Sequence, residues 1–353
     1  MRREPGSRFA DVSVIVAAYR AAGTIGCALA SIARQTVKPR EVVVVDDGSD
    51  DGTAEAARAC LPDMNGVALK VFRTEDNRGA GAARNRAVAE SRQPVLAFLD
   101  ADDEWLPEKL ERSLEVFDQG DYALVAHDYL TGDGDRAEHH RCERRFRESA
   151  DPFVGLYRKG YIPSCTVVAR RDAVLAAGGF DEKLLNAQDF DLWLAMLRMP
   201  GTRFTVFGEA LMRYRPAPGG IMSHTRRRLA CGLVIAARYF PDLKGRPGSP
   251  YLSLWYRVVV LHLEAVRAYG AKGEIVNLLL TAVALPVNLA VVTLRCLAGS
   301  VPARGGGATA IGVPTAATPA PALLWLWVVA VTGAYLYQFR DLVRPILKLV
   351  GLA

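Results

Sequence analysis

Apolar residues fall along this chain in two kinds of run. Val12–Val16, Val42–Val45, Val67–Phe72 and Val95–Leu99 are short, unbroken and rich in β-branched residues. Runs of that kind predict strands buried on both faces, as in a parallel sheet. Between them lie helical patterns. Thr24–Gln35 puts Ile25, Leu29 and Ile32 on one face, and Arg78–Ser91 is rich in Ala. Strand–helix alternation predicts an α/β sandwich around a central, mostly parallel sheet.

Further along, Pro107–Phe117 predicts a helix with Pro in its first turn and Leu110, Leu114 and Phe117 on one side. Tyr122–Ala126 and Thr166–Ala169 read as strands, and Arg171–Ala177 as a short helix ended by Gly178-Gly179. Asp189–Met199 is a helix with Phe190, Trp193, Leu194 and Leu197 on one stripe, which makes Trp193 a core residue. Thr131–Glu148 breaks the pattern. It is charged and poor in apolar residues, which predicts a mobile surface loop with His139 and His140 solvated.

After Thr225 the character changes, and three units result: 1–225 as an α/β domain, 226–274 as a basic helical connector, and 275–353 as apolar helical segments. Ile275–Leu294 and Ala322–Phe339 carry no formal charge. Each approaches the ~20 residues a membrane-spanning helix needs. Trp325, Trp327, Tyr335 and Tyr337 suit a membrane interface. Arg267 and Lys272 before the first stretch, and Arg340, Arg344 and Lys348 after the second, favour a two-helix hairpin with both ends cytoplasmic. A pair of buried or interfacial helices is the alternative.

Charge sharpens this division. From Arg226 onward there are 14 basic and 4 acidic residues, against 30 and 34 before it. A basic tail flanked by apolar runs points to an anionic membrane surface. No helix-turn-helix, RNP or zinc-finger pattern accompanies it, so nucleic acid is not expected as a partner. The six cysteines are scattered without paired spacing, which argues against a disulfide framework and for a reducing compartment. The stretch Met1–Ala10 lacks the apolar core of a signal peptide, so the N-terminal half is expected in the cytoplasm.

Three acidic clusters carry candidate chemistry. Asp46-Asp47-Gly48-Ser49-Asp50-Asp51 follows the second apolar run. Ligands of open α/β sheets bind beyond the carboxyl ends of strands, and carboxylates there can accept hydrogen bonds from a base or a ribose. An ordinary Asp/Gly/Ser turn is the plainer reading. Asp100-Ala101-Asp102-Asp103 follows the fourth run. Carboxylates so crowded repel one another, and Mg²⁺ or Mn²⁺ on hard oxygen ligands relieves the cost. Asp102 is the favoured ligand, while Asp103 or Glu104 can serve simply as an acidic helix cap. Asp189 opens the third cluster, as a general base or as a helix-start residue.

Taken in order, these elements resemble the family 2 glycosyltransferases of GT-A fold. The resemblance runs from Val12–Val16 and Tyr19 through Val42–Thr53, Asn77-Arg78-Gly79, Ala83-Arg84-Asn85 and Phe98–Asp103 to Gly178–Glu182 and Gln188–Leu194. It covers residues 11 to about 215. It implies that Tyr19 stacks on the nucleotide base of a nucleotide-sugar, that Asp47, beside Asp46, hydrogen-bonds the base, and that Arg84 approaches the donor. It also implies that Asp102 holds the metal, that Asp100 lies near ribose, sugar or metal, and that Asp189 is the base of an inverting transfer. The acceptor would be a carbohydrate or a glycolipid in surface polysaccharide or glycolipid assembly, reached from the inner face of the cell membrane. The chain departs from the family pattern at Ala17, Arg20 and Gln188, where Pro, Asn and an acidic residue are frequent. A nucleotidyltransferase forming nucleotide-sugars is a second reading, disfavoured because Ala17–Gly23 is a poor phosphate loop. A non-catalytic nucleotide-sugar-binding protein is a third, opposed by the intact Asp102 and Asp189. His127-Asp128 and His224 are further candidates to line the site.

Overall fold

A computed structural model describes residues 8–132, 134, 137–199, 201–215 and 224–305. The four apolar runs form one side of its sheet. β1 (Phe9–Ala18), β2 (Lys38–Asp46), β3 (Ala68–Arg73) and β4 (Val95–Phe98) run parallel in the order β3-β2-β1-β4. The helices between them are α1 (Ile25–Ala33), α2 (Thr53–Ala59) and α3 (Ala80–Glu90). Val42 and Val44 point into one core and Val43 and Val45 into the other, and all four are fully buried. Alternation therefore disappears from β2, because both of its faces are dry.

Beyond β4 the sheet turns mixed. The two-residue β5 (Glu104–Trp105) and helix α4 (Lys109–Asp118) lead to β6 (Leu124–Thr131). Next come β7 (Glu138–His140), helices α5 (Cys142–Arg147) and α6 (Pro152–Lys159), and β8 (Val168–Arg170). β8 lies antiparallel between β4 and β6. Helices α7 (Arg171–Ala176) and α8 (Gln188–Leu197) precede β9 (Phe204–Tyr214), which runs parallel to β6 and carries β5 on its far side. Trp193 sits in the core as expected, edge-on to Phe98 with ring centroids 5.7 Å apart.

Residues 131–148, expected as a mobile loop, contain β7 and α5. Their charges conceal three anchors. Buried Asp128 accepts hydrogen bonds from Glu143 N (2.8 Å) and pairs with His139 Nε2 (2.9 Å). His140 stacks on Tyr129 at 4.5 Å. Cys142 is buried, and Phe146 meets Phe204 edge-on at 5.1 Å. Neither histidine is therefore simply solvated.

Strand order reverses beside β1, with β2 on one flank and β4 on the other. Registers pair Ala18 with Asp46 and Ile15 with Phe98. The carboxyl ends of β1, β2 and β4 thus finish side by side, which opens a crevice there.

Three more helices follow: α9 (Thr225–Arg238), α10 (Pro250–Ala271) and α11 (Ile275–Leu297). α9 is largely buried. α11 packs on α10 with Asn288 and Thr293 inward. Asn288 Nδ2 donates to His262 Nε2 (3.0 Å), and Trp255 Nε1 donates to Thr293 Oγ1 (3.0 Å). Leu289 and Val292 are buried with them, while the outward surface is also apolar: Val276 is 70% exposed and Leu280 62%. By length and composition, α11 is able to cross a membrane. The second apolar stretch, Ala322–Phe339, lies outside the described residues.

One buried charge stands apart from the rest of the core. Lys109 is fully buried, its Nζ lies 4.1 Å from the centroid of the Trp105 ring, and no hydrogen-bond partner for it is present among the described residues. Burial pushes its pKa down to about 7. In the unfolded chain the amine holds its proton up to about pH 10.4. Between these values the unfolded state binds more protons, so stability rises with pH and the penalty is complete below pH 7. Lys109→Met keeps the stem's volume and removes the charge. Thermal melts should show the variant more stable than wild type at pH 6.5, with the gain shrinking toward pH 10.

Candidate active site

Backbone geometry at the crevice is set by the first acidic turn. Asp46 ends β2, and its Oδ1 accepts from Ser49 N (3.1 Å) and Ser49 Oγ. Gly48 adopts φ +72°, and a Cβ there would lie 2.8 Å from the Asp76 carbonyl carbon, so the turn packs against residues 76 and 77 only with glycine in place. Asp50 and Asp51 bind the loop after β1. Arg20 donates from Nε to Asp50 Oδ1 (2.9 Å), and Ala22 N donates to Asp51 Oδ2 (3.1 Å). Those two acids match the plain turn reading. Tyr19 leads this loop with its ring 45% exposed.

Asp47 is buried, and both its oxygens meet backbone amides. Oδ2 accepts from Gly79 N (2.7 Å) and Oδ1 from Arg78 N (3.0 Å). It thereby fixes the entry to α3. That helix carries Arg84, whose guanidinium is buried 5.5 Å from the centroid of the Phe180 ring. Arg84 Nη2 donates to Asp100 Oδ1 at 2.5 Å. Burial works against its charge, but Asp100 and Asp189 hold its pKa above the ordinary value.

Asp100 and Asp102 follow β4 and stay partly exposed, whereas Asp103 is buried. Burial, then the charge of Asp100, lifts the Asp102 carboxyl to about 6. The same two causes raise Asp103 well above the carboxylate range. Asp103 accepts from Arg215 N (3.0 Å) at the end of β9, so it ties two strand ends together rather than capping a helix. Cys165 lies beside it. Ligating atoms of Asp100, Asp103 and Cys165 fall within 4.8 Å of one another. Burial raises the Cys165 thiol well above its usual range, which keeps it protonated. Asp100 N donates to its sulfur (3.2 Å), and its carbonyl accepts from Trp105 Nε1 (2.9 Å). Sequence reasoning missed Cys165 and Arg215. A lone cysteine and a backbone amide 112 positions away leave no local signal.

Asp189 opens α8 after Ala187, a non-glycine residue at φ +57°. Its Oδ1 accepts from Phe190 N (2.8 Å). Burial raises its pKa, and Arg84 opposes the rise. Gln188 is buried and donates to Leu184 O (2.6 Å). His127 and Asp128 are both buried in the sheet and do not open to the crevice. His224 is exposed ahead of α9.

The structure thus brings Asp100, Asp189 and Arg84 into one electrostatic group, with Asp102 against Asp100. Tyr19, Asp46 and Asp47 occupy the ends of the neighbouring strands β1 and β2.

Comparison with known proteins agrees with this geometry. The family model for glycosyl transferase family 2 matches residues 13–176. The succinoglycan biosynthesis protein ExoO of Rhizobium meliloti is 41% identical over 249 residues, 66% of this chain and 70% of that one. The amylovoran biosynthesis glycosyltransferase AmsB of Erwinia amylovora is 28% identical over 210 residues, 57% of this chain and 68% of that one. Among solved structures, the mannosyltransferase of Pyrobaculum calidifontis in complex with GDP-Man and Mn²⁺ superposes with a TM-score of 0.55. That match has 22% identity and covers 81% of this chain and 87% of that one, a likeness of fold. Fold, acidic crevice and relatives converge: the chain is a glycosyltransferase and belongs to glycosyl transferase family 2.

Proposed function

We propose that the enzyme transfers a sugar from a nucleoside-diphosphate sugar to an acceptor hydroxyl with inversion at the anomeric carbon. The observation that carries this is the buried Arg84 guanidinium, ion-paired to Asp100 and under the charge of Asp189. In this reading a donor-side carboxylate and a candidate base share the field of one cation.

In this reading the exposed Tyr19 ring stacks on the base, a contact worth ~1–3 kcal/mol in single-stranded nucleic-acid complexes. Asp46 and Asp47 lie at the nucleotide end. Asp47 already accepts from the Arg78 and Gly79 amides and from Thr74 Oγ1 (3.3 Å), and a base N–H displaces the long Thr74 contact. Arg84 and Asp100 face the sugar diphosphate. Asp189, made more basic by burial, takes the proton of the acceptor hydroxyl. The acceptor oxygen bonds to the anomeric carbon in line, the carbon–oxygen bond to the diphosphate breaks, and the nucleoside diphosphate leaves.

Residues at the crevice fit Mg²⁺ or Mn²⁺. Burial, then the charge of Asp100, makes the ionised form of Asp102 costly, and a divalent cation beside it would offset that cost. The Asp102 oxygens are hard ligands suited to either ion. Held by Asp102, the ion would supply Lewis acidity to the departing diphosphate.

The acceptor is proposed to be a glycolipid or a growing surface polysaccharide at the inner face of the cell membrane. Both relatives are named for polysaccharide biosynthesis. α11 supports this placement, because its outward face is apolar while its polar residues are satisfied inside. The division into units at 1–225, 226–274 and 275–353 is kept within this proposal.

Four outcomes test it. Nucleoside diphosphate release from a panel of UDP-, GDP- and dTDP-sugars should require Mn²⁺ or Mg²⁺, stop with EDTA, and be lost in Asp102→Ala. Asp189→Asn should bind the same donor in calorimetry yet lose ~10²–10⁴ in turnover. The wild-type rate should fall with pH through a midpoint above the ordinary aspartate value, since the base works only when ionised and its pKa is raised. Turnover by Asp189→Asn at the wild-type rate would remove the base assignment. The double variant Leu279→Glu, Leu280→Glu, at sites 57% and 62% exposed, should leave the fold intact and release the protein from vesicles containing anionic lipid.

A further inference from the structure

The chain beyond α11 returns to the base helix. α11 ends at Leu297; Gly299 then adopts φ +68°, and Ser300 N donates to Arg295 O (2.9 Å). Residues 301–305 then lie along α8 and α9. Pro302 O and Ala303 O accept from Arg238 Nε and Nη2, each at 3.1 Å. Gly305 N donates to Asp181 Oδ2 (3.1 Å).

Arg304 goes deepest. Its Nε donates to Asp191 Oδ2 (2.9 Å), its Nη1 to Ala177 O and its Nη2 to Gly179 O (2.5 Å). Asp191 has no exposed surface, and it is also held by Arg238 Nη1 (2.5 Å) and Tyr239 Oη (3.1 Å). Arg238 Nη1 reaches Asp181 as well (2.9 Å). Two arginines and two aspartates therefore balance in one buried cluster.

Two routes lead from this cluster to the crevice. Asp191 stands two residues after Asp189 in the first turn of α8. The Gly178-Gly179 turn, whose carbonyl Arg304 holds, presses on α3: a Cβ at Gly179 would lie 2.6 Å from Asn85 Oδ1. Asn85 exchanges hydrogen bonds with Phe180 N (2.8 Å) and Phe180 O (2.9 Å). Asn85 is the neighbour of Arg84.

We infer that residues 300–305 form a strap that couples the apolar helices to catalysis, and that Arg304 is the positioning residue through which α11 sets the placement of Asp189 and Arg84. The inference rests on the reading of Asp189 as base. It assigns a catalytic consequence to the C-terminal helices beyond membrane attachment.

Arg304→Lys keeps the cluster's charge balance but cannot span Asp191, Ala177 O and Gly179 O together. The full chain in detergent is compared as wild type, Arg304→Lys and Asp189→Asn. Arg304→Lys should lose at least tenfold in the turnover number for nucleoside diphosphate release. Its KM for the donor should stay within twofold, and UDP, GDP or dTDP should bind with unchanged stoichiometry, so that the loss belongs to folded, donor-competent enzyme. A turnover number within twofold of wild type, while Asp189→Asn is inactive, overturns the strap and leaves the base reading standing. An active Asp189→Asn removes the base reading and this inference with it. Amide hydrogen exchange reads the strap without turnover: residues 188–192 should exchange faster in Arg304→Lys while α1 is unchanged, and equal rates across 188–192 overturn the proposal.

Discussion

Arg84 carries a positive charge into a place where the protein gathers four carboxylates, and the site depends on that charge. Asp100, Asp102, Asp103 and Asp189 reach one end of the sheet from two distant stretches of chain. Asp102, Asp103 and Asp189 feel burial and also the charge of Asp100. Without a cation the cheapest response is protonation, which would leave neither a metal ligand nor a base. Arg84 keeps Asp100 paired and opposes the upward shifts at Asp102 and Asp189. A guanidinium stays charged when buried where a lysine does not. Lys109, elsewhere in the same core and without a carboxylate partner, shows the difference, with its pKa pushed down to about 7.

The placement of that charge follows from strand register. β1 pairs with β2 and β4 in parallel, so the acids after β2 and β4 emerge at the same edge. α3 connects β3 to β4 across β2 and β1, and Asp47 fixes its entry through the amides of Arg78 and Gly79. An acid at the nucleotide end thereby also orients the helix that presents Arg84. One residue serving both ends of the crevice explains why it is buried although it carries a charge.

Much of this was legible in sequence because it is local. Val42–Val45 announces a strand dry on both faces, and Asp102 and Asp189 are marked by their positions after a strand and at a helix start. What was hidden depends on contacts across long separations. Asp103 was read as a cap because its partner, Arg215 N, is 112 residues on. Residues 131–148 looked mobile because their charges dominate the composition, while the contacts that order them belong to Asp128, Tyr129 and Phe204. α11 was read by hydropathy alone. Only the packed helices show that Asn288 and Thr293, which weaken the apolar run, face α10 and leave the outward surface apolar.

Gln188 bears on the charge environment of Asp189, the proposed base. Family members often carry an acid at this position, beside the base. Here the side chain is buried, donates to Leu184 O (2.6 Å), and packs where a Cβ on Gly81 of α3 would lie 3.3 Å from its Cγ. A carboxylate in that slot would lose the donor that satisfies Leu184 O. It would also set a second negative charge next to Asp189, with Asp181 and Asp191 already close by in sequence and buried. The added repulsion would raise the Asp189 pKa further. A neutral amide leaves that shift to burial and the charge of Asp100, opposed by Arg84. The departure from the family pattern thus keeps α3 and α8 in close contact while sparing the base an additional charge.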